Sequence, residues 1–309
     1  MNKQIRGSLA LFLAAFIWGT AFVAQSTAAD VIGPFAFSVI RNYIGVLTLI
    51  PVILVMRRVQ KGKDMTIKGE FLEIFHDKKL LMGGFLCGVA LCIASNLQQT
   101  GIKYVSFVGK SGFITALYII FVPIAGLFLH KKVGKLVWIA LMFAVTGLYF
   151  LCINQQFTLE YSDILLILCA VFYTVQIMFI DKYAPDVDCV ALACIEFFVC
   201  GTLSLVLMCL FEHNTLEDVR QASFSLFYTG VFSSGVAYTM QMLGQKDLNP
   251  TVACLIMSLE SVVSVLSGMV ILREQPSGRE LFGCVLMFIG VILAQLPDNL
   301  FNRKSLVED

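Results

Sequence analysis

Four charged side chains stand well inside apolar stretches of this chain: Arg41, Lys110, Glu196 and Glu260. A basic residue at the centre of a lipid-buried helix costs roughly 2.5–3.5 kcal/mol. With a glutamate taken as equal, the four cost on the order of 10–14 kcal/mol together. They must pair, reach an aqueous cavity or shed their charge. Glu260 lies ten residues into its run, and Ser264 and Gly268 continue its face. A carboxylate there suits proton coupling, or the grip of a cationic substrate group, or a structural hydrogen bond to a neighbouring helix. Lys110, Ile114 and Tyr118 follow i, i+4, i+8 spacing, so an ammonium and a phenol share one face. That face suits a cavity wall, or Lys110 snorkels to the membrane surface. Arg41 and Glu196 stand 155 positions apart, at matching depths in their runs, and read as structural or gating charges.

Amides and aromatics extend the set. Asn96 and Gln99 lie at i, i+3, as do Tyr238 and Gln241; Trp18 and Tyr173 are 155 apart, with Gln176 one turn after Tyr173. Each could hold a polar substrate or serve as interhelical glue. Pro123 removes a backbone donor and crowds the preceding turn, which makes a hinge or a static kink. The three histidines, His76, His130 and His213, fall in loops or at helix ends, and the ten cysteines lack metal spacing. No metal and no cofactor is expected. Cys87, Cys92, Cys200 and Cys209 sit in apolar runs and read as small packing residues.

The elements that position these groups must be membrane helices. The chain has 309 residues, 58% hydrophobic and 14% charged, with a net charge of +1. That composition asks for lipid as solvent and argues against nucleic acid as a partner. Apolar runs fall at roughly 5–25, 34–56, 80–100, 106–129, 134–152, 162–181, 189–211, 223–243, 250–272 and 278–296, each long enough to span a bilayer. The first resembles a signal peptide but is too long and reads as a retained span. Residues 57–79 place Ile67, Phe71, Leu72 and Phe75 on one helical face, which fits a surface helix or a disordered basic loop.

The chain is also doubled. Gly101 and Gly244, Lys103 and Lys246, and Gly147 and Gly290 are all 143 positions apart. Each start reads as a glycine stop and a basic residue in a short loop, then an N-cap at Ser106 or Asn249, the latter with Pro250 at N1. The expected fold is all-α, ten transmembrane helices as two inverted five-helix repeats: residues 1–152, residues 161–297, and a cytoplasmic tail over 298–309. Five spans per repeat is odd, so the halves enter the membrane from opposite sides. Sixteen Lys and Arg residues fall on one side and four on the other, which places both termini in the cytoplasm. Gly283 and Gly290 on the last span allow close contact, within the protomer or in a homodimer.

Over nearly its whole length the sequence resembles the drug/metabolite transporter superfamily, in its ten-helix EamA-type branch. The motifs are Trp18-Gly19-Thr20-Ala21-Phe22, Arg41, Ser258-Leu259-Glu260 with Ser261 where proline is usual, and Arg273-Glu274 followed by Gly278. The resemblance implies a secondary carrier of small organic molecules, often an exporter, with a cavity lined mainly by helices 1, 3, 4, 6, 8 and 9. Small four-helix relatives carry a coupling glutamate in their first helix; this chain has none there.

These observations point to a transporter in the plasma membrane that moves a small organic metabolite by alternating access, which inverted repeats make possible. A passive channel is the alternative, and a membrane-embedded enzyme a further one. At offset 143, Ala253 stands opposite Lys110 and Leu117 opposite Glu260, so the candidate charges break the symmetry of the scaffold.

Overall fold

The structure, a computed structural model, describes residues 3–61, 76–105, 108–130, 134–152, 160–275 and 277–296. Among the described residues, ten long helices form the bundle: α1 (Lys3–Ala29), α2 (Pro34–Lys61), α3 (Lys78–Tyr104), α4 (Val108–Phe128), α5 (Lys135–Cys152), α6 (Tyr161–Tyr183), α7 (Cys189–Phe211), α8 (223–245), α9 (Pro250–Leu272) and α10 (Gly278–Gln295). Seven are long and apolar enough to cross a membrane by length and composition, and shorter apolar helices lie within α5 and α10. The remaining one, α8, runs from α-helix (Ser223–Tyr228) through π-helix (Thr229–Ala237) and back to α-helix (Tyr238–Gln245). The protein is an all-α membrane protein of ten spans in two inverted five-helix repeats.

The repeat is visible contact by contact. A Cβ added to Gly101 would lie 2.8 Å from Leu166 Cγ and 3.4 Å from the Ser162 carbonyl oxygen; one on Gly244 would lie 2.5 Å from Leu11 Cγ and 2.9 Å from the Gly7 carbonyl oxygen. Leu11 and Leu166 are 155 apart, as are Gly7 and Ser162, so α3 on α6 and α8 on α1 are one contact made twice. Gly147 packs on the Gly283 oxygen and Met287 nitrogen, and Gly290 on the Ala140 oxygen and Ala144 nitrogen. These atoms are again 143 positions apart, so α5 and α10 grip each other symmetrically, and Gly283 and Gly290 are used within the protomer. His130 and Arg273, non-glycine residues with φ of 56° and 58°, follow the ends of α4 and α9 and are also 143 apart.

Gly101 and Gly244 therefore do not stop helices, contrary to the sequence expectation. Helix α3 continues to Tyr104 and takes Lys103 into its last turn, and Gly244 lies within the last turn of α8. In lipid the absent side chain lets two backbones approach, and that role decided both positions. The expected N-cap holds at Asn249, whose side chain accepts from Thr251 N at 2.9 Å with Pro250 at N1. Ser106, the apolar face of Ile67, Phe71, Leu72 and Phe75, and the tail over 298–309 lie outside the described residues.

One departure from symmetry explains the π-helix. Gly88 packs on Val199 and the Glu196 carbonyl of α7, and Gly230 on Ile44 and the Arg41 carbonyl of α2; both partner pairs are 155 apart. Yet Gly88 and Gly101 are 13 positions apart, whereas Gly230 and Gly244 are 14 apart. Helix α8 holds one residue more than α3 between the same two contacts, and a π-segment is how a helix absorbs an extra residue.

Opposite the face where α1 begins, the end of α7 caps α2. Glu212 accepts from Phe35 N and Ala36 N, both at 2.9 Å, and Asn214 Oδ1 accepts from Gly33 N at 2.9 Å. A carboxylate on two first-turn donors satisfies groups the helix leaves open and meets the positive end of its dipole. Glu212→Ala is expected to cost about 1–2 kcal/mol. The check is the melting temperature of the purified variant; Glu212→Gln should lose less, because its amide oxygen still accepts.

Candidate functional site

A small cavity lies inside the bundle, lined by residues of both halves. Its walls are Trp18, Phe22 and Gln25 of α1, Arg41 of α2, Gln98 of α3, Thr115 and Tyr118 of α4, Tyr173, Gln176 and Ile177 of α6, Ser233, Tyr238 and Gln241 of α8, and Met257 and Glu260 of α9. Three pairs are repeat mates: Trp18 with Tyr173 and Phe22 with Ile177 at offset 155, and Gln98 with Gln241 at 143. Arg41, Tyr118 and Glu260 face different residue types at their mates, Glu196, Ser261 and Leu117, and are among the lining residues that make the cavity asymmetric.

Both α4 and α9 are broken at the cavity. Helix α4 divides into Val108–Thr115 and Tyr118–Phe128, and α9 into Pro250–Met257 and Leu259–Ser267 before its final π-turn, Gly268–Leu272. Leu117 and Ser258 precede the second segments with nearly the same backbone, φ −58°, ψ −14° and φ −62°, ψ −13°. At each break, hydrogen bonds shorten to i−3 partners: Ile119 N to Ala116 O at 3.0 Å, and Ser261 N to Ser258 O at 3.1 Å. Tyr118 and Glu260 follow these breaks, and the Tyr118 hydroxyl donates to Glu260 Oε1 at 3.0 Å. Ser261 Oγ donates to the Gly112 carbonyl at 3.0 Å and ties the two broken helices together. The interruption of α4 lies upstream of Pro123, and the helix runs through that proline unbroken.

Hydrogen bonds join side chains along the cavity wall. The Tyr238 hydroxyl donates to that of Tyr173 at 3.5 Å, Tyr173 to Gln98 Oε1 at 3.1 Å, and Gln98 Nε2 to Thr115 Oγ1 at 3.3 Å. The Trp18 ring meets Tyr238 edge-on with centroids 5.0 Å apart. Arg41 Nη1 donates to Gln25 Oε1 at 3.2 Å. Trp18 Nε1, Arg41 Nε and Gln241 Oε1 have no hydrogen-bond partner among the described residues. Such a lining offers aromatic faces, one guanidinium, one carboxylate and unused donors and acceptors to a guest.

Of the candidate residues, Trp18, Tyr118, Tyr173, Gln176, Tyr238, Gln241, Glu260 and Arg41 meet at this cavity. Lys110 is not in the lining. The break at 116–117 uncouples it from Tyr118, and it pairs with Asp163 at 2.8 Å and Glu160 at 3.1 Å at the start of α6. Those acids already form the capping box of α6, so two carboxylates converge where α4 passes. Asn96 and Gln99 also lie off the lining. Asn96 Nδ2 donates to the Cys92 carbonyl and to Ser204 Oγ, each at 2.8 Å, and so joins α3 to α7; Gln99 Nε2 donates to the Gln25 carbonyl at 3.1 Å. Glu196 is fully buried behind the wall, where Gln176 Nε2 donates to its Oε1 at 2.8 Å.

Sequence reasoning missed Gln98, Phe22, Gln25, Thr115, Ile177, Ser233 and Met257. The repeat itself carried the signal for Gln98, which stands 143 positions before Gln241, and Trp18, Phe22 and Gln25 follow i, i+4, i+7 on one face of α1. For the Lys110–Asp163 pair, with side chains 17% and 7% exposed, a double-mutant cycle is the test. Lys110→Met should destabilise by about 2–3 kcal/mol, because Asp163 is left buried without a cation, and the added Asp163→Asn should recover most of it.

Inverted five-helix halves around a polar cavity, with discontinuous helices meeting at its wall, define a membrane transporter. The EamA-like transporter family matches residues 5–153 and again residues 161–296, and the chain belongs to that family. It is 29% identical to an uncharacterized transporter of Archaeoglobus fulgidus, covering 95% of this chain and 87% of that protein. It is 21% identical to the uncharacterized transporter YoaV of Bacillus subtilis, over 98% of this chain and all of that one. A solved crystal structure superposes with a TM-score of 0.73 at 16% identity, covering 94% of this chain and 96% of that one, a likeness of fold alone.

Proposed function

We propose that the protein is a secondary carrier that moves a small organic solute of mixed polarity out of the cell, across the plasma membrane, by alternating access. One observation supports this reading most. The cavity is lined by both halves, and α4 and α9 are each broken at its wall, with nearly the same backbone at Leu117 and Ser258. Two related halves can exchange conformations around such a site, opening it to one side and then the other. The solute's cationic or donor group would meet Glu260 and Tyr118, and its anionic or acceptor group Arg41, with its apolar part on Trp18, Tyr173 and Tyr238. Lys and Arg asymmetry supports cytoplasmic termini. The outward direction rests on the family resemblance.

The test begins with a screen of zwitterionic and amphiphilic metabolites for thermal stabilisation of the purified protein. Each stabilising compound is then followed in proteoliposomes loaded with the unlabelled compound. A carrier exchanges labelled solute for unlabelled solute against its gradient, and a channel only equilibrates it. Absence of saturable counterflow would end the carrier reading. Uptake into inside-out but not right-side-out vesicles would support export.

A further inference from the structure

The described core is unbalanced in charge. Its buried charged residues are Arg41, Asp163, Glu196 and Glu260. Asp163 is neutralised by Lys110 at 2.8 Å. One guanidinium then stands against two carboxylates, and neither carboxylate forms an ion pair with a described residue. Arg41 and Glu260 share the cavity wall; Glu196 stands behind it. A carboxylate can take about four donors. Glu196 is 0% exposed and, among the described residues, receives one bond, from Gln176, with no partner for its Oε2. The ionisable groups near it are the Cys87 thiol of α3 and the Tyr238 hydroxyl of α8. On α2, Arg41 turns its guanidinium to Gln25 and Phe37 instead. An isolated buried carboxylate is far costlier than the neutral acid.

We propose that Glu196 is a proton-binding site of this protein, distinct from the cavity carboxylate Glu260 and linked to the cavity through Gln176. Glu196 occupies in the second half the place that Arg41 holds in the first, and each is tied to a glutamine of the preceding helix. Gln176 reaches both ways: its amide donates to Glu196, and its Oε1 accepts from Gln241 Nε2 at 3.5 Å on the cavity wall. Loss of the proton changes what Gln176 must donate to, and so changes the wall. The proton site stands on these contacts alone; its use to drive transport rests on the carrier reading.

The probe is the proton itself. Full-length protein carrying Trp138→Phe, which leaves Trp18 as its tryptophan, is titrated in lipid nanodiscs by infrared and fluorescence spectroscopy. At neutral pH a protonated carboxyl C=O band is expected in this parent and in Glu260→Gln, and its loss in Glu196→Gln. As pH rises, the band should fade together with a step in Trp18 emission, since Gln176, which donates to Glu196, shares the cavity wall with Trp18. Gln176→Met should keep the band and lose the emission step. A band that survives Glu196→Gln, or disappears in Glu260→Gln instead, overturns the assignment. An emission step unchanged in Gln176→Met overturns the link to the cavity. Should Glu196→Gln fail to fold, Glu196→Asp serves in its place, with a displaced band expected and an unmoved one overturning the assignment. None of these readouts needs a transported solute, so a failed counterflow experiment and a failed proton site remain separate results.

Discussion

Replacing Glu260 with glutamine is expected to weaken binding of the stabilising solute about 30- to 100-fold while leaving the melting temperature of the empty protein unchanged or slightly raised. The substitution keeps the shape of the side chain and an oxygen for the Tyr118 hydroxyl, now 3.0 Å from Oε1. What disappears is the negative charge offered to the guest, and a hydrogen bond to a charged group is worth about 1.5–3 kcal/mol. Stability does not suffer because the folded protein no longer buries a carboxylate that lacks an ion-pair partner. Tyr118→Phe should act in the same direction but more weakly, about tenfold, since the charge remains and only its orienting donor is gone. Titration calorimetry with the solute from the screen gives both values. An affinity in Glu260→Gln equal to that of the parent would remove Glu260 from the binding site.

Gly19→Val should be among the most damaging single substitutions in the bundle. A Cβ at Gly19 would collide with Val263 Cβ and stand 2.7 Å from the Glu260 carbonyl oxygen. Neither neighbour is the free end of a flexible chain, so α1 and α9 must separate. Overpacking of this kind costs typically 1–3 kcal/mol, and valine adds two methyl groups beyond that first contact. The separation falls beside Glu260 and Trp18, so solute binding should drop along with the melting temperature. Gly19→Ala should show the smaller form of both effects. Gly278→Ala is the control, because nothing lies within 4 Å of a Cβ there, and it should leave melting and binding as they are. Equal melting temperatures for the Gly19 and Gly278 variants would show that the α1–α9 crossing has slack.

The candidate site was only partly legible before folding. Of the candidate residues, Trp18, Tyr118, Tyr173, Gln176, Tyr238, Gln241 and Glu260 line the cavity, and Arg41 joins them. Asn96 and Gln99 were one azimuth off: the lining residue of α3 is Gln98, between Asn96 and its neighbour Gln99. In a soluble helix an apolar stripe marks the buried side, but a membrane helix is apolar on its lipid face and its packed face alike. Spacing then says which residues share a face and leaves open which way that face points. Lys110 shows the same limit, because its partners Asp163 and Glu160 lie on another helix 50 residues on and are also the caps of that helix.

The residue order by itself determined the lipid solvent, the ten spans and the doubling, through composition, run length and fixed offsets of 143 and 155. It also determined which residues break that symmetry. Only the tertiary structure decided where the helices break, which glycines are contacts and which charges meet. The breaks at Leu117 and Ser258 and the π-segment of α8 are responses to packing, set by where one backbone must pass another. Each is a property of two helices together, and a single helix carries no local signal for its neighbour's position.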